Sequence, residues 1–366
     1  MSQASSPLAT LISNVIRPEI LKQLPYHVPN ANGMVKLDAM ENPYELPESL
    51  KPAFGAHLAN VALNRYPVPS YRLLKQKICA NFGVPAGFDV VLGNGSDELI
   101  SMLSVACAKP GAIALAPLPG FVMYAASAQL AGMAFVGVDL TADLELDTDA
   151  MLTAIALHRP ALVYLPNPNN PTGSWFNEAD LIRIITAVGD TGIVVVDEAY
   201  QPFAPSSMMT RLPEFDNVIV MRTVSKQGMA GLRLGYMSGA PALLAELEKV
   251  RPPYNINVLT VAAAEFLLDH IAVFNQQAAL ICQQRSELTM ALKQLPDVHV
   301  FPSEANFLLI RVPHSEQIFN KLLEQRILVK NVGKMHSLLV NCLRITVSTP
   351  EENQQFLTAL TTALAC

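Results

Sequence analysis

Between Tyr71 and Gly239 the chain alternates short apolar runs with amphipathic stretches, and few folds accommodate that rhythm. YRLLKQKICANFG has helical periodicity and stops at Gly83. DVVLGNG then predicts a strand and turn, SDELISMLSVACA a helix, AIALAPLPG a strand and FVMYAASAQLAG a helix. MAFVGVDL, ALVYLPNPNNPTG, GIVVVDEAY, NVIVMRTVSK and RLGYMSG predict further strands, with DTDAMLTAIALHRP and EADLIRIITAVGDTG as helices. Val194 to Val196 and Val218 to Val220 are continuous apolar runs with no polar alternation. Strands of that kind are buried on both faces, so helices must cover both sides of a mostly parallel sheet. The expected fold is three-layer α/β.

The flanks differ. Residues 1–45 are rich in Pro, Asn and Ser, with a short helical candidate at Ser6 to Ile16, and read as an arm; Pro43, Pro47 and Pro52 punctuate its exit. Beyond Pro252 a long helical stretch spans Val258 to Leu295, followed by NFLLIRV, a helix at Glu316 to Gln325, ILVKNV, CLRITVS and a last helix from Glu351. The expected division is an arm (1–45), a large ligand-holding unit (46–252) and a smaller α+β unit (253–366).

The 366 residues are 51% hydrophobic and 15% charged, enough apolar mass for a sizeable core. The net charge of −6 and the lack of a Lys/Arg-rich run argue against a nucleic-acid partner. Five scattered cysteines without a C-x-x-C argue against a disulfide framework or a zinc site. No basic leader and no span of about 20 apolar residues is evident, so the expectation is a cytoplasmic protein with no membrane partner.

In open α/β sheets ligands bind beyond the carboxyl ends of the strands, and the chemically interesting residues fall there. Gly93-Asn94-Gly95-Ser96-Asp97-Glu98 turns a strand into a helix, with Ser96 or Asp97 as expected cap and free N–H groups for an anion. It lacks the third glycine of a dinucleotide fingerprint. Phe121 or Tyr124 could stack on a flat ring, with a core role the stronger expectation for Tyr124. Asn170, in Asn167-Pro168-Asn169-Asn170-Pro171-Thr172-Gly173, can aim its amide at an anionic oxygen, and Tyr200 could donate to the same oxygen. Asp197 ends a hydrophobic strand, a costly place for a carboxylate without a partner. Lys226 follows the next strand, with Ser225 and Arg233 able to hold a phosphate. A lysine that holds an aldehyde and an acid that keeps a pyridine nitrogen protonated are what pyridoxal 5′-phosphate chemistry requires.

GNGSDE, NPNNPTG, VVVDEAY and RTVSK…GLRLGY in this order resemble the class I/II aminotransferases, pyridoxal-phosphate enzymes of fold type I. KLDAMENPY (Lys36 to Tyr44), LNRYP (Leu63 to Pro67) and CLRITVST (Cys342 to Thr349) resemble the branch of that family that uses histidinol phosphate. The resemblance implies transamination of histidinol phosphate with 2-oxoglutarate in histidine biosynthesis, with Lys226, Asp197 and Tyr200 as catalytic residues. It also implies that Phe121 stacks on the ring, that Asn170 and Tyr200 bond its O3′ and Asp197 its N1, and that Ser96, Asp97, Ser225 and Arg233 hold the phosphate. Tyr66 would reach the phosphate of a second copy, making a homodimer. Arg344, Tyr26 and Lys330 would face the substrate. Two departures stand out: Arg233 lies seven positions after Lys226 where many members have eight, and Lys330 stands where some relatives carry arginine. An aromatic amino-acid aminotransferase is the alternative; a decarboxylase of a phosphorylated amino acid and a DNA-bound regulator are remoter ones.

Overall fold

The structure, a computed structural model, describes residues 6–23, 25 and 29–365. After a short strand in the arm, β1 (Val35–Lys36), the chain builds one seven-stranded sheet. Its strands are β2 (Val90–Gly93), β3 (Ile113–Leu118), β4 (Ala134–Asp139), β5 (Leu162–Pro166), β6 (Ile193–Asp197), β7 (Val218–Thr223) and β8 (Gly235–Gly239). They lie in the order β2-β8-β7-β6-β5-β3-β4. All pairs from β7 to β4 are parallel; only β8 runs against both its neighbours. Val194, Val195 and Val196 are all fully buried, as their unbroken run requires. Each such burial is worth about 1.5 kcal/mol or more. Odd and even side chains of the central strands enter two separate cores, one on each face: Val194, Val196, Val218 and Val220 in the first, Val195, Ile219 and Tyr164 in the second.

Chain order reverses direction between β3 and β5, since β4 continues to one side of β3 and β5, β6 and β7 to the other. A crevice at the carboxyl ends is the geometric consequence of such a switch point.

The last third adds β9 (His299–Val300), β10 (Phe307–Arg311), β11 (Ile327–Leu328), β12 (Lys330–Asn331) and β13 (Cys342–Thr346). β12-β13-β10-β9 form a four-stranded antiparallel sheet, and β11 pairs in parallel with β1 of the arm. ILVKNV is therefore two strands: Val329 separates β11 from β12, and each serves a different sheet. The arm is tied on firmly, because Met40 N–H donates to Thr346 Oγ1 and Asn306 Nδ2 to the Met40 carbonyl.

The helical stretch from Val258 is not one helix. It breaks at His270 into Val258–Asp269 and Ile271–Leu292, bent by 76°. The first half packs on the large sheet through Ala264 and Leu267; the second starts there with Phe274 and then joins the small sheet through Ile281, Leu288 and Leu292. Among the described residues no single helix is long and apolar enough to cross a membrane. Helices Lys51–Ala59 and Pro241–Glu248 were not anticipated; each opens with a proline at its start, where the missing N–H costs nothing.

Candidate active site

The carboxyl ends of β3, β5, β6 and β7 surround a cleft of about 620 Å³. Phe121, Tyr124, Asn170, Asp197, Tyr200, Ser225, Lys226, Ser96, Asp97 and Arg233 all line it. Ten side chains from five loops thus meet because the strands end together.

At the closed end sits Asp197, buried at the tip of β6. Its Oδ2 accepts from Tyr124 Oη at 2.7 Å and its Oδ1 from the Ala199 N–H at 3.0 Å. Burial pushes the carboxyl up to about 6, with both hydrogen bonds pulling it back down. Lys226 follows β7 in a tight turn, Ser225–Met229, and its Nζ donates to the Ala39 carbonyl at 3.1 Å. Burial pushes this amine down to about 8, and the nearby Arg344 charge acts the same way. An amine at that value is partly unprotonated near neutrality, and so nucleophilic. Burial raises the Tyr200 hydroxyl, so it stays a neutral donor.

Arg344, on β13, is buried and spans both sheets. Its Nη1 donates to Asn170 Oδ1 at 2.6 Å and its Nη2 to the Asp38 carbonyl at 2.8 Å, while its guanidinium lies 5.4 Å over the Phe307 ring. Because Asn170 accepts through Oδ1, its Nδ2 is turned to donate elsewhere. Lys330 is the direct cross-strand partner of Arg344, so the two cations stand side by side.

The anion end is built from the Gly93–Ser96 turn. Gly95, not Ser96 or Asp97, occupies the cap position of helix Ser96–Cys107 with φ +80°, and Glu98 reaches back to accept from the Asn94 N–H at 2.6 Å. A glycine cap leaves the first N–H groups of the helix without a side-chain acceptor. Packing is tight here: a Cβ on Gly235 would come within 2.7 Å of the Gly95 carbonyl carbon, and one on Gly95 within 2.8 Å of Arg233 Nη2. Arg233 Nη2 lies 3.8 Å from Asp97 Oδ2.

One expected residue lies elsewhere. Tyr66 is 79% exposed and stacks on Tyr254 at 4.6 Å, outside this cleft. Tyr26 lies outside the described residues. Among the cleft residues that were not anticipated are Thr223, Met40 and, as more than a core aromatic, Tyr124. The signal for Tyr124 was its spacing, one helical turn after Phe121 and so on the same face.

The profile of the family "Aminotransferase class I and II" matches residues 32–360. The chain belongs to that family. It is 59% identical over 360 residues to histidinol-phosphate aminotransferase 1 of Ralstonia nicotianae, covering 98% of this chain and 96% of that one. The histidinol-phosphate aminotransferase of Polaromonas naphthalenivorans is 51% identical over 365 residues, all of both chains. In fold the chain is similar to the histidinol-phosphate aminotransferase of Sinorhizobium meliloti, solved in complex with pyridoxal 5′-phosphate, with a TM-score of 0.85, 24% identity and 99% of each chain covered. The L-threonine-O-3-phosphate decarboxylase of Porphyromonas gingivalis also shares the fold, at a TM-score of 0.75, 22% identity, and 90% and 99% of the two chains, so the fold by itself does not choose the reaction.

The cofactor of the family is pyridoxal 5′-phosphate, and the donor set fits it. The buried acid and the low-pKa amine line one cleft, an aromatic ring, Phe121, sits in its wall, and a backbone cradle that any Cβ would fill closes the anion end.

Proposed function

We propose that the chain transfers the amino group of L-histidinol phosphate to 2-oxoglutarate, giving imidazole-acetol phosphate and glutamate, a step of histidine biosynthesis. One observation carries the substrate: identity of 50–59%, nearly end to end, with proteins named as histidinol-phosphate aminotransferases.

When bound, pyridoxal 5′-phosphate supplies an electron-accepting ring conjugated to the reacting nitrogen. Lys226 Nζ would be the group that holds the cofactor's aldehyde carbon and, when free, the base for the proton on the substrate carbon. Asp197 keeps the ring nitrogen protonated. Asn170 Nδ2 and Tyr200 Oη would donate to the ring oxygen, and Phe121 would stack on the ring. The first N–H groups at Ser96 and Asp97, the Ser225 hydroxyl and the Arg233 fork bind the phosphate. Arg344 holds the anion of either substrate, the phosphate of one or the carboxylate of the other, with Lys330 and Tyr26 on the substrate side. Tyr66, exposed and not part of its own cleft, serves the cofactor phosphate of a second copy, so the working form is a homodimer. An arm (1–45), a cofactor-holding unit (46–252) and a smaller unit (253–366) complete this reading, in a cytoplasmic enzyme whose described cysteines are free thiols.

The test is a half-reaction. Stoichiometric L-histidinol phosphate should convert the lysine-bound absorbance of the holoenzyme to that of the amine form, with phenylalanine far slower at equal concentration. Faster conversion by phenylalanine would replace this reading with the aromatic one.

A further inference from the structure

Helix Val122–Leu130 brings two aromatic residues to the cleft, and they do different things. Phe121 presents a ring. Tyr124, one turn on, is 1% exposed and points its hydroxyl at the acid. The Tyr124 ring cannot swing: it stacks on Tyr164 at 4.3 Å with 9° between planes, and Phe121 meets its edge at 5.6 Å and 86°.

We propose that Tyr124 is a positioning residue for Asp197: its hydroxyl fixes the plane of the carboxylate and sets how strongly that carboxylate competes for the proton of the cofactor's ring nitrogen. This deepens the reading above and rests on it. The two oxygens of Asp197 are each held by a separate donor from a separate element, the Tyr124 hydroxyl and the Ala199 N–H. A carboxylate pinned at both oxygens has one orientation left, and the lone pairs not engaged face the cleft that Asp197 lines. Burial and the adjacent Asp197 charge raise the Tyr124 hydroxyl, so it remains a donor across the working pH range. The other charges acting on Asp197 are Asp97, from helix Ser96–Cys107, and Glu198, its neighbour on the chain; both disfavour its ionisation. Tyr164 and Tyr200 stand near as neutral groups, and Lys226 lines the same cleft. Tyr124 is thus the side chain that offsets burial in favour of the anion.

The experiment measures binding of pyridoxine 5′-phosphate, which lacks the aldehyde and cannot be captured by Lys226, to the full chain stripped of cofactor, from pH 5 to 8. Below the Asp197 pKa both the acid and the ring nitrogen carry protons, and one must leave before they share one, so affinity falls with falling pH. The ligand's own phosphate titrates near pH 6 too, but identically for every variant. Hydrogen bonds to charged groups are worth about 1.5–3 kcal/mol, and one pKa unit is 1.36 kcal/mol. Tyr124→Phe should therefore move the break upward by about one pH unit, weakening binding about tenfold near pH 6 and much less at pH 8. Tyr164→Phe, which touches the same ring without donating to Asp197, should leave the break in place. A Tyr124→Phe profile that superimposes on the parent's, or lies below it by one constant factor, overturns the inference. Asp197→Asn separates the two levels of the argument. If it leaves only the ligand's phosphate titration while Tyr124→Phe changes nothing, the Tyr124 role alone fails. If it matches the parent, the assignment of Asp197 fails first.

Discussion

The two ends of the cleft are built on opposite terms. At the ring end, Asp197, Tyr124 and Tyr200 are buried, and Tyr124 holds Asp197 by a hydrogen bond within one chain. At the anion end, the Arg233 and Asp97 side chains are about half exposed, and their contact is a loose 3.8 Å. Exposed ion pairs of that kind contribute little to stability. The ring end is therefore set before any ligand arrives, whereas the anion end is a collection of donors that a phosphate would organise. Burial acts on charge at the ring end, pushing the Asp197 carboxyl up and the Lys226 amine down.

That contrast can be broken by mutation. The largest effect belongs to Lys226→Ala, which removes both the covalent anchor and the proton carrier; kcat should drop by at least about 10⁴-fold, and excess cofactor should not restore it. Steady-state turnover across a cofactor titration checks this. Arg233→Ala should instead weaken cofactor affinity by about 10- to 100-fold, the scale of a charge-assisted pair of hydrogen bonds, and saturating cofactor should recover most turnover. Should Arg233→Ala behave like Lys226→Ala, the two ends are not distinct. The mildest substitution is Tyr66→Phe, with a few-fold loss of cofactor retention on dilution. Mixing Tyr66→Phe with Lys226→Ala chains should restore part of the activity if each cleft borrows from a second copy; no recovery would show that it does not.

A pH measurement sharpens the same contrast. The cofactor-free chain captures an aldehyde only through a neutral Lys226 amine. With the amine pushed down to about 8, the capture rate should rise with pH and level off above that value. A rise continuing toward the ordinary lysine value would mean that the amine is not buried as described.

Much of the ring end was legible in the chain itself. Val194 to Val196 had to be a fully buried strand, and an acid at its tip had to have a partner, so Asp197 stood out. Lys226 and Asn170 followed from their places just beyond strand ends; Arg233, at the other end of the cleft, followed from the GLR motif. What was not legible depends on contacts between distant segments. The Asp197–Tyr124 bond joins residues 73 apart, and the Arg344–Asn170 bond joins residues 174 apart. Periodicity within one helix cannot say which of Phe121 and Tyr124 faces the acid. The break at His270 was hidden for a similar reason: the apolar pattern continues through it, and only the two separate cores require a bend. The cap of helix Ser96–Cys107 went to Gly95 because Arg233 and Gly235 crowd the turn from another strand.

Reduction with borohydride tests the central claim most directly, because it makes the lysine–cofactor bond permanent. Digestion and mass mapping of the reduced holoenzyme should place the added mass of the cofactor on Lys226 and nowhere else. An adduct on another lysine, or none, would contradict the account.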